Sequence, residues 1–277
     1  LEHYDFSDFT FHDVNHVHLL SEIEKRAYAD RHQYLADMQF VDVPYDFLLS
    51  DEHTNDLLNS IDLTKSSSSS LFGGDDLLLN KESEETTHYS IIDSYGNAVS
   101  VTTTLNGWFG NGLSVPNAGF LMNNEMDDFS IKPGYPNKYG LVGSWANSIA
   151  PNKRMLSSMS PTIMEDKDGD LFLVLGSPGG STIITTVAQI ISNIVDYNMP
   201  IKDAIESPRM HHQWLPDKIS IEQGALNQDV IDRLLEIGHE VSYKRSIGEA
   251  NCIMYDKSRN LFYGVSDDRR NGQAVGY

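Results

Sequence analysis

The sequence predicts a mixed α/β (α+β) chain, and three stretches carry that prediction. Residues 17–31 read as a helix, 86–106 as a β-hairpin, and 170–195 as a strand, a glycine-rich turn and a second helix. In the first helix Leu19, Leu20, Ile23, Ala27 and Tyr28 recur at three- and four-residue steps. Residues from about 64 to 85, which include Ser66-Ser67-Ser68-Ser69-Ser70, are polar and aperiodic, and are expected to form a mobile linker.

The hairpin prediction rests on two β-rich runs around Ser94-Tyr95-Gly96. A loop of those three residues makes Asp93 face Asn97 and sets Thr86 opposite Thr104, with their side chains on one face. Period-two alternation places Asn106 on the same face. Further on, Asp170-Leu171-Phe172-Leu173-Val174-Leu175 reads as a short buried strand that runs into Gly176-Ser177-Pro178-Gly179-Gly180. Ser181 is placed to cap a helix whose apolar positions are Ile183, Ile184, Val187, Ile190, Ile191, Ile194 and Val195.

Composition bounds the function. The chain has 277 residues, 40% of them hydrophobic and 10% aromatic, enough for a globular core. Its net charge of −20 argues against nucleic acid or an anionic membrane as partner. Residues 1–85 hold 19 acidic and 5 basic residues, so much of that charge lies ahead of Thr86. The single cysteine, Cys252, excludes an internal disulfide and a cysteine-rich metal site. No run of apolar residues is long enough to span a membrane.

Thr86-Thr87 is the pair with chemical promise. If the chain is cut before Thr86, the freed α-amine titrates at about 7.7 to 8.0 and can take the hydroxyl proton, which makes Thr86 a nucleophile. Thr104 and Asn106 would then hold the Thr86 oxygen. Backbone N–H groups of the glycine turn can stabilise an oxyanion; the turn lacks both the Gly-Lys-Ser/Thr continuation of a phosphate loop and the dinucleotide glycine spacing. The carboxylates of residues 123–129 suit an ammonium group, and the neighbouring hydroxyls within 153–162 suit a carboxylate. Each of these clusters also reads as an ordinary turn or loop. His12, Asp13, His16 and His18 suggest a metal site but read better as a solvated histidine-rich segment, and His211-His212 as packing.

Several segments together resemble γ-glutamyltranspeptidase. They are Thr86-Thr87-His88-Tyr89-Ser90, Gly96-Asn97-Ala98-Val99, Asn123-Asn124-Glu125-Met126-Asp127-Asp128-Phe129-Ser130, Leu156-Ser157-Ser158-Met159-Ser160-Pro161-Thr162, Gly176-Ser177-Pro178-Gly179-Gly180 and His212-Gln213-Trp214-Leu215-Pro216. Their order and spacing cover nearly all of 86–277, and Glu24-Lys25-Arg26-Ala27-Tyr28-Ala29-Asp30-Arg31 followed by Phe40-Val41-Asp42-Val43-Pro44 resembles the end of that family's large subunit.

The resemblance implies a four-layer αββα sandwich of the N-terminal nucleophile hydrolase type. Residues 1–85 would end the large subunit and 86–277 form the small catalytic one, together one structural domain. It implies self-cleavage between Glu85 and Thr86, then acyl transfer from glutathione or another γ-glutamyl amide to water, an amino acid or a peptide. Thr104 would support the nucleophile, and Asn106, Glu125 and Asp128 would surround the substrate's α-amino group. Ser157 and Ser158 would bind its α-carboxylate, Gly179 and Gly180 form the oxyanion hole, and Tyr139 lie within a lid over residues 133–144. The partners implied are those substrates and the large subunit of the same precursor. No cofactor or metal is called for, and export to the periplasm or medium is implied.

Other relatives with this chemistry act on cephalosporin side chains or poly-γ-glutamate, and an inactive fragment is the third reading. Departures from the family pattern are Met155, Thr182, Ser144-Trp145 and Asp268. The chain begins at Leu1 and resembles only the last part of a large subunit, so an arginine that grips the donor α-carboxylate in the family is expected elsewhere. Arg154 and Arg209 are local substitutes for it, with a structural role the better reading of both.

Overall fold

The computed structural model describes residues 1, 3–72, 85–130, 132, 133, 135 and 144–276. Its elements run α1 (Val14–Tyr34), α2 (Tyr45–Leu48), α3 (Asp51–Asn59), β1 (Thr86–Ile92), β2 (Ala98–Thr104), β3 (Thr162–Glu165), β4 (Leu171–Leu175), α4 (Thr182–Val195), α5 (Ile201–Glu206), β5 (Met210–His211), β6 (Ile219–Glu222), α6 (Gln228–Glu236), β7 (Val241–Lys244), β8 (Asn251–Asp256) and β9 (Leu261–Ser266). They form two compact units. One comprises Leu1–Glu82, Glu125–Ser157 and Met210–Arg245; the other Ser83–Asn124, Ser158–Arg209 and Ser246–Tyr277. The first unit therefore draws on chain from both sides of Thr86, and the second almost wholly on chain from Thr86 onward.

In the first unit α1 extends beyond the expected helix at both ends. Asp13 caps it, its carboxylate accepting the His16 N–H at 2.8 Å. The expected apolar stripe is half right: Leu19, Leu20 and Tyr28 are buried, while Ile23 is half-buried and Ala27 exposed. Glu22, Glu24, Lys25 and Arg26 are buried instead. They can be, because α1 packs against β5, α6 and the turn at Ser69–Phe72, and because the charges pair. Glu22 meets Lys25 Nζ at 3.0 Å and Arg26 Nη1 at 2.7 Å, and Glu24 accepts the His212 N–H at 2.7 Å. The histidine-rich segment is a correction too: His16 and His18 are buried, not solvated. Sequence patterning missed this because polar residues look solvent-facing until their partners are in view.

The sheet of this unit has the order β5-β6-β7. β5 runs antiparallel to β6, whereas β6 and β7 are parallel and need α6 as the crossover between them. The beginning of the expected linker is tied to this unit. Ser66 N–H donates to Ile237 O at 2.8 Å, Ser69 N–H to Asp217 at 2.7 Å, and Ser69 Oγ to Trp214 O at 2.6 Å. Residues 73–84 lie outside the described residues.

In the second unit β1 and β2 form the expected hairpin in the expected register, Thr86 opposite Thr104 and Ile92 opposite Ala98. This hairpin packs on β4 and β8, the inner strands of an antiparallel sheet ordered β3-β4-β8-β9. Behind β4, α4 and α5 close the core with Leu173, Leu175, Val187, Ile190, Ile194, Ile201, Ala204 and Ile205. Ser181 holds the N-cap position of α4 without a side-chain cap bond. Thr182 Oγ1 closes the turn instead, donating to Gly179 O at 2.8 Å. Cys252 lies in this core, and burial pushes its thiol up to about 12.

Candidate active site

In the second unit, the face of β1 that carries Thr86 also carries His88 and Ser90, and β2 opposes them with Thr104, Thr102 and Ser100. Thr86 and Thr104 are both half-buried. Thr104 Oγ1 donates to the carbonyl oxygen of Glu85 at 2.8 Å, and so engages the peptide bond that precedes Thr86. The same oxygen accepts the Asn106 N–H at 2.9 Å. Strand alternation does not extend to Asn106, because β2 stops at Thr104 and Asn106 takes the left-handed region with φ 68°. Its backbone N–H is the group that reaches Thr104 Oγ1, at 2.9 Å. The buried amide donates to Asn124 O at 3.2 Å.

The glycine turn heads α4, where backbone N–H groups lack intrahelical acceptors. Gly179 and Gly180 have φ of 138° and 58°, conformations that L side chains rarely adopt. A Cβ on Gly179 would sit 2.5 Å from Thr182 Oγ1 and 3.2 Å from the Cα of Gly248. Ser177 Oγ accepts the Glu249 N–H at 2.8 Å, which fastens the turn to the segment before β8. Ser158 is half-buried in the extended chain before β3. Arg209 is buried and spent within this unit: it donates to Ile247 O and Ile205 O and pairs with Asp267 at 2.7 Å. Burial alone would raise the Asp267 carboxyl, but Arg209 and Arg269 hold it below its ordinary range.

In the first unit a single turn spans Glu125–Asp128. Burial, the neighbouring Glu125 charge and their mutual hydrogen bond push Asp128 up to about 7, with Arg31 opposing. Burial likewise raises Glu125. Both carboxyls are thus pushed towards their protonated forms, and an ammonium group beside them would favour the charged forms instead. Asn147 braces this turn, its Nδ2 donating to Asp128 O at 2.8 Å and its Oδ1 accepting the Leu156 N–H at 3.0 Å. Ser157 follows, exposed. Arg154 is 72% exposed beside Asp37, which accepts its backbone N–H at 2.8 Å. Tyr139 lies outside the described residues.

Three further donors, on His18, Glu22 and His239, lie within 4.8 Å of one another. His18 Nδ1 and His239 Nε2 are hydrogen-bonded at 2.7 Å, and both Glu22 oxygens are held by Lys25 and Arg26. Two cations beside the only carboxylate of the trio make this a hydrogen-bond and ion-pair cluster. Sequence reasoning passed over His88, Asn147 and Gly248; the period-two face shared by Thr86 and His88 was the available signal for the first.

Comparison with known proteins adds to this geometry. The family model described as gamma-glutamyltranspeptidase matches residues 1–277. The glutathione hydrolase proenzyme of Escherichia coli is 46% identical over 269 residues, covering 97% of this chain and 46% of that protein. That of Bacillus subtilis strain 168 is 34% identical over 290 residues, 100% of this chain and 47% of the relative. The chain thus spans about half the length of the curated relatives it matches. Among solved structures, the γ-glutamyltranspeptidase of Pseudomonas nitroreducens aligns with TM-score 0.65 at 45% identity over 69% of this chain and 99% of that one. A cephalosporin acylase of Bacillus halodurans, 21% identical, aligns over 97% of this chain and 47% of its own with TM-score 0.76, a likeness of fold alone. The fold class is the α+β architecture of N-terminal nucleophile hydrolases. Within that class, the chain belongs to the γ-glutamyltranspeptidase family.

Proposed function

We propose that this chain carries the nucleophile of a self-cleaving γ-glutamyl acyltransferase that hydrolyses glutathione and other γ-glutamyl amides or transfers the γ-glutamyl group to amino acids and peptides. The observation that supports it most is the Thr104 hydroxyl bonded at 2.8 Å to the carbonyl ahead of Thr86, in a chain of this family. A hydrogen bond there draws electron density towards the carbonyl oxygen and leaves the carbon open to attack by the Thr86 hydroxyl. Attack forms the Oγ–C bond and breaks the C–N bond of Glu85–Thr86, which gives an ester and a free α-amine. Water then splits the ester, and Glu85 leaves as a carboxylate.

In the mature protein that amine takes the proton of Thr86 Oγ as the oxygen attacks a γ-glutamyl amide, and returns it to the departing amine. The second acceptor, water or an amine, reverses these steps. We assign the N–H groups of Gly179 and Gly180 to the oxyanion, and Thr104 to the support of Thr86. Asn106, Glu125 and Asp128 are assigned to the substrate's α-amino group, and Ser157 and Ser158 to its α-carboxylate. Tyr139 is assigned to a lid, the large subunit to the same precursor, and the protein to an exported location. Among the described residues no helix is long and apolar enough to cross a membrane.

A panel of γ-glutamyl and glutaryl anilides tests the substrate class. The γ-glutamyl anilide is expected to be turned over with parallel double-reciprocal plots as the acceptor varies, the sign of an acyl-enzyme. Turnover of the glutaryl anilide alone would move the assignment to an acylase.

A further inference from the structure

His88 sits two residues after Thr86 on the same face of β1 and is 4% exposed. A buried imidazole must find partners for both nitrogens. Nδ1 lies 2.8 Å from Thr102 Oγ1 and Nε2 lies 3.1 Å from Ser90 Oγ. The Ser90 hydroxyl has a single proton and gives it to Asn251 O at 3.0 Å. Ser90 Oγ can then only accept from the ring, so Nε2 carries the hydrogen and Nδ1 accepts from Thr102. Burial pushes His88 down to about 4, so the ring stays in this single-proton form over the working range of pH.

The ring also has a mechanical position. A Cβ on Gly176 would fall 2.3 to 2.8 Å from three of its atoms, so the imidazole occupies the space a side chain would need there. Gly176 is the first residue of the glycine turn. Its carbonyl accepts the Asn251 N–H at 3.1 Å, while Asn251 Nδ2 donates to His88 O at 3.2 Å. Ser100 Oγ donates to Leu175 O at 2.9 Å. Through Asn251, and through Ser100 on the residue just ahead of Gly176, these contacts tie the hairpin that carries Thr86 to the start of the turn that carries Gly179 and Gly180.

We infer that His88, as its Nε2–H tautomer, is a positioning residue that sets the spacing between the Thr86 strand and the Gly176–Gly180 turn. It does not touch the reacting atoms; it fixes how far the hydroxyl stands from the N–H groups assigned to the oxyanion. The inference rests on the acyl-transfer reading for its catalytic consequence, though not for its structural one. Gly176 must remain glycine for the same reason, since any side chain would displace the ring.

Three variants of the full-length protein separate this role from space-filling. His88→Gln keeps a donor and an acceptor near the ring positions, His88→Leu keeps volume without either, and His88→Ala removes both. For γ-glutamyl anilide turnover, the Leu and Ala variants are expected to lose about 100-fold in kcat with KM within about threefold, because misplacement by about an ångström has that effect. The Gln variant is expected to recover most of the loss. Two readouts do not depend on activity. Amide exchange at Ser177–Gly180 should rise about tenfold in the Leu variant but not in the Gln variant, and nitrogen NMR of the parent should show hydrogen on Nε2. A Leu variant with parental kcat and parental exchange, or a ring protonated on Nδ1, would overturn the inference. A parent that turns over no anilide overturns the acyl-transfer reading instead, and the exchange and tautomer results then still decide whether His88 holds the turn.

Discussion

Thr104 and Asp128 carry the sharpest expectations at the scale of single residues. Thr104→Val keeps the shape but leaves the Asn106 N–H without its acceptor and Glu85 O without its donor. Cleavage should slow, and kcat for a γ-glutamyl anilide should fall by about 100-fold or more, the usual cost of a lost oxyanion-type donor or nucleophile support. Asp128 costs stability as the pH rises. Its folded carboxyl titrates higher than its unfolded value of 3.8, so the unfolded chain releases the proton first and stability falls as pH rises from about 3.8 through 7. Asp128→Asn removes that penalty. Thermal scans should show a higher Tm than the parent at pH 8 and little difference at pH 3, while donor KM rises sharply. For the parent, donor KM should climb below about pH 7 as the pair takes up its proton.

At the scale of elements, the hairpin and the strand–turn–helix were legible because their signals are local. A short polar loop fixes the register of two β-rich runs, and an apolar run followed by glycines and a 3.6-residue repeat can fold in few ways. Helix α1 was legible only in part. Its buried face depends on partners far along the chain, such as Ser67 and His212, which no periodicity reveals. Asn106 was misplaced for a related reason: alternation holds only while the strand lasts, and the end of β2 at Thr104 is set by the turn at Asn106–Gly107 that Asn124 secures. The charged cluster gives the element-scale test. Burial alone would raise the Glu22 carboxyl, but Lys25 and Arg26 hold it down at about 2. Its stabilisation is therefore full above its ordinary value of 4.5 and is lost as pH falls towards 2. Glu22→Gln leaves buried Arg26 without its carboxylate partner and Lys25 with Asp217 at 3.2 Å, and chemical denaturation at pH 7 should show a loss on the order of 3 kcal/mol. A loss below about 0.5 kcal/mol would mean that the cations find other partners.

For the whole molecule, family membership and fold are established by likeness along the entire chain, while the activity is inferred from the chemistry around Thr86. The residues assigned to the substrate were readable from the sequence as polar clusters, but their roles came from the resemblance. Spacing alone gives an acidic turn or a serine pair no ligand. The proposed nucleophile is different, because its chemistry would leave a covalent record that does not depend on knowing the substrate. Intact mass of the full-length protein after incubation at neutral pH, beside a Thr86→Ala variant, reads that record directly. Two fragments divided between Glu85 and Thr86 in the parent, with the variant left whole, are the expected result. A parent that stays whole while folded, or a variant that divides at the same bond, would contradict Thr86 as the nucleophile and the acyltransferase reading with it.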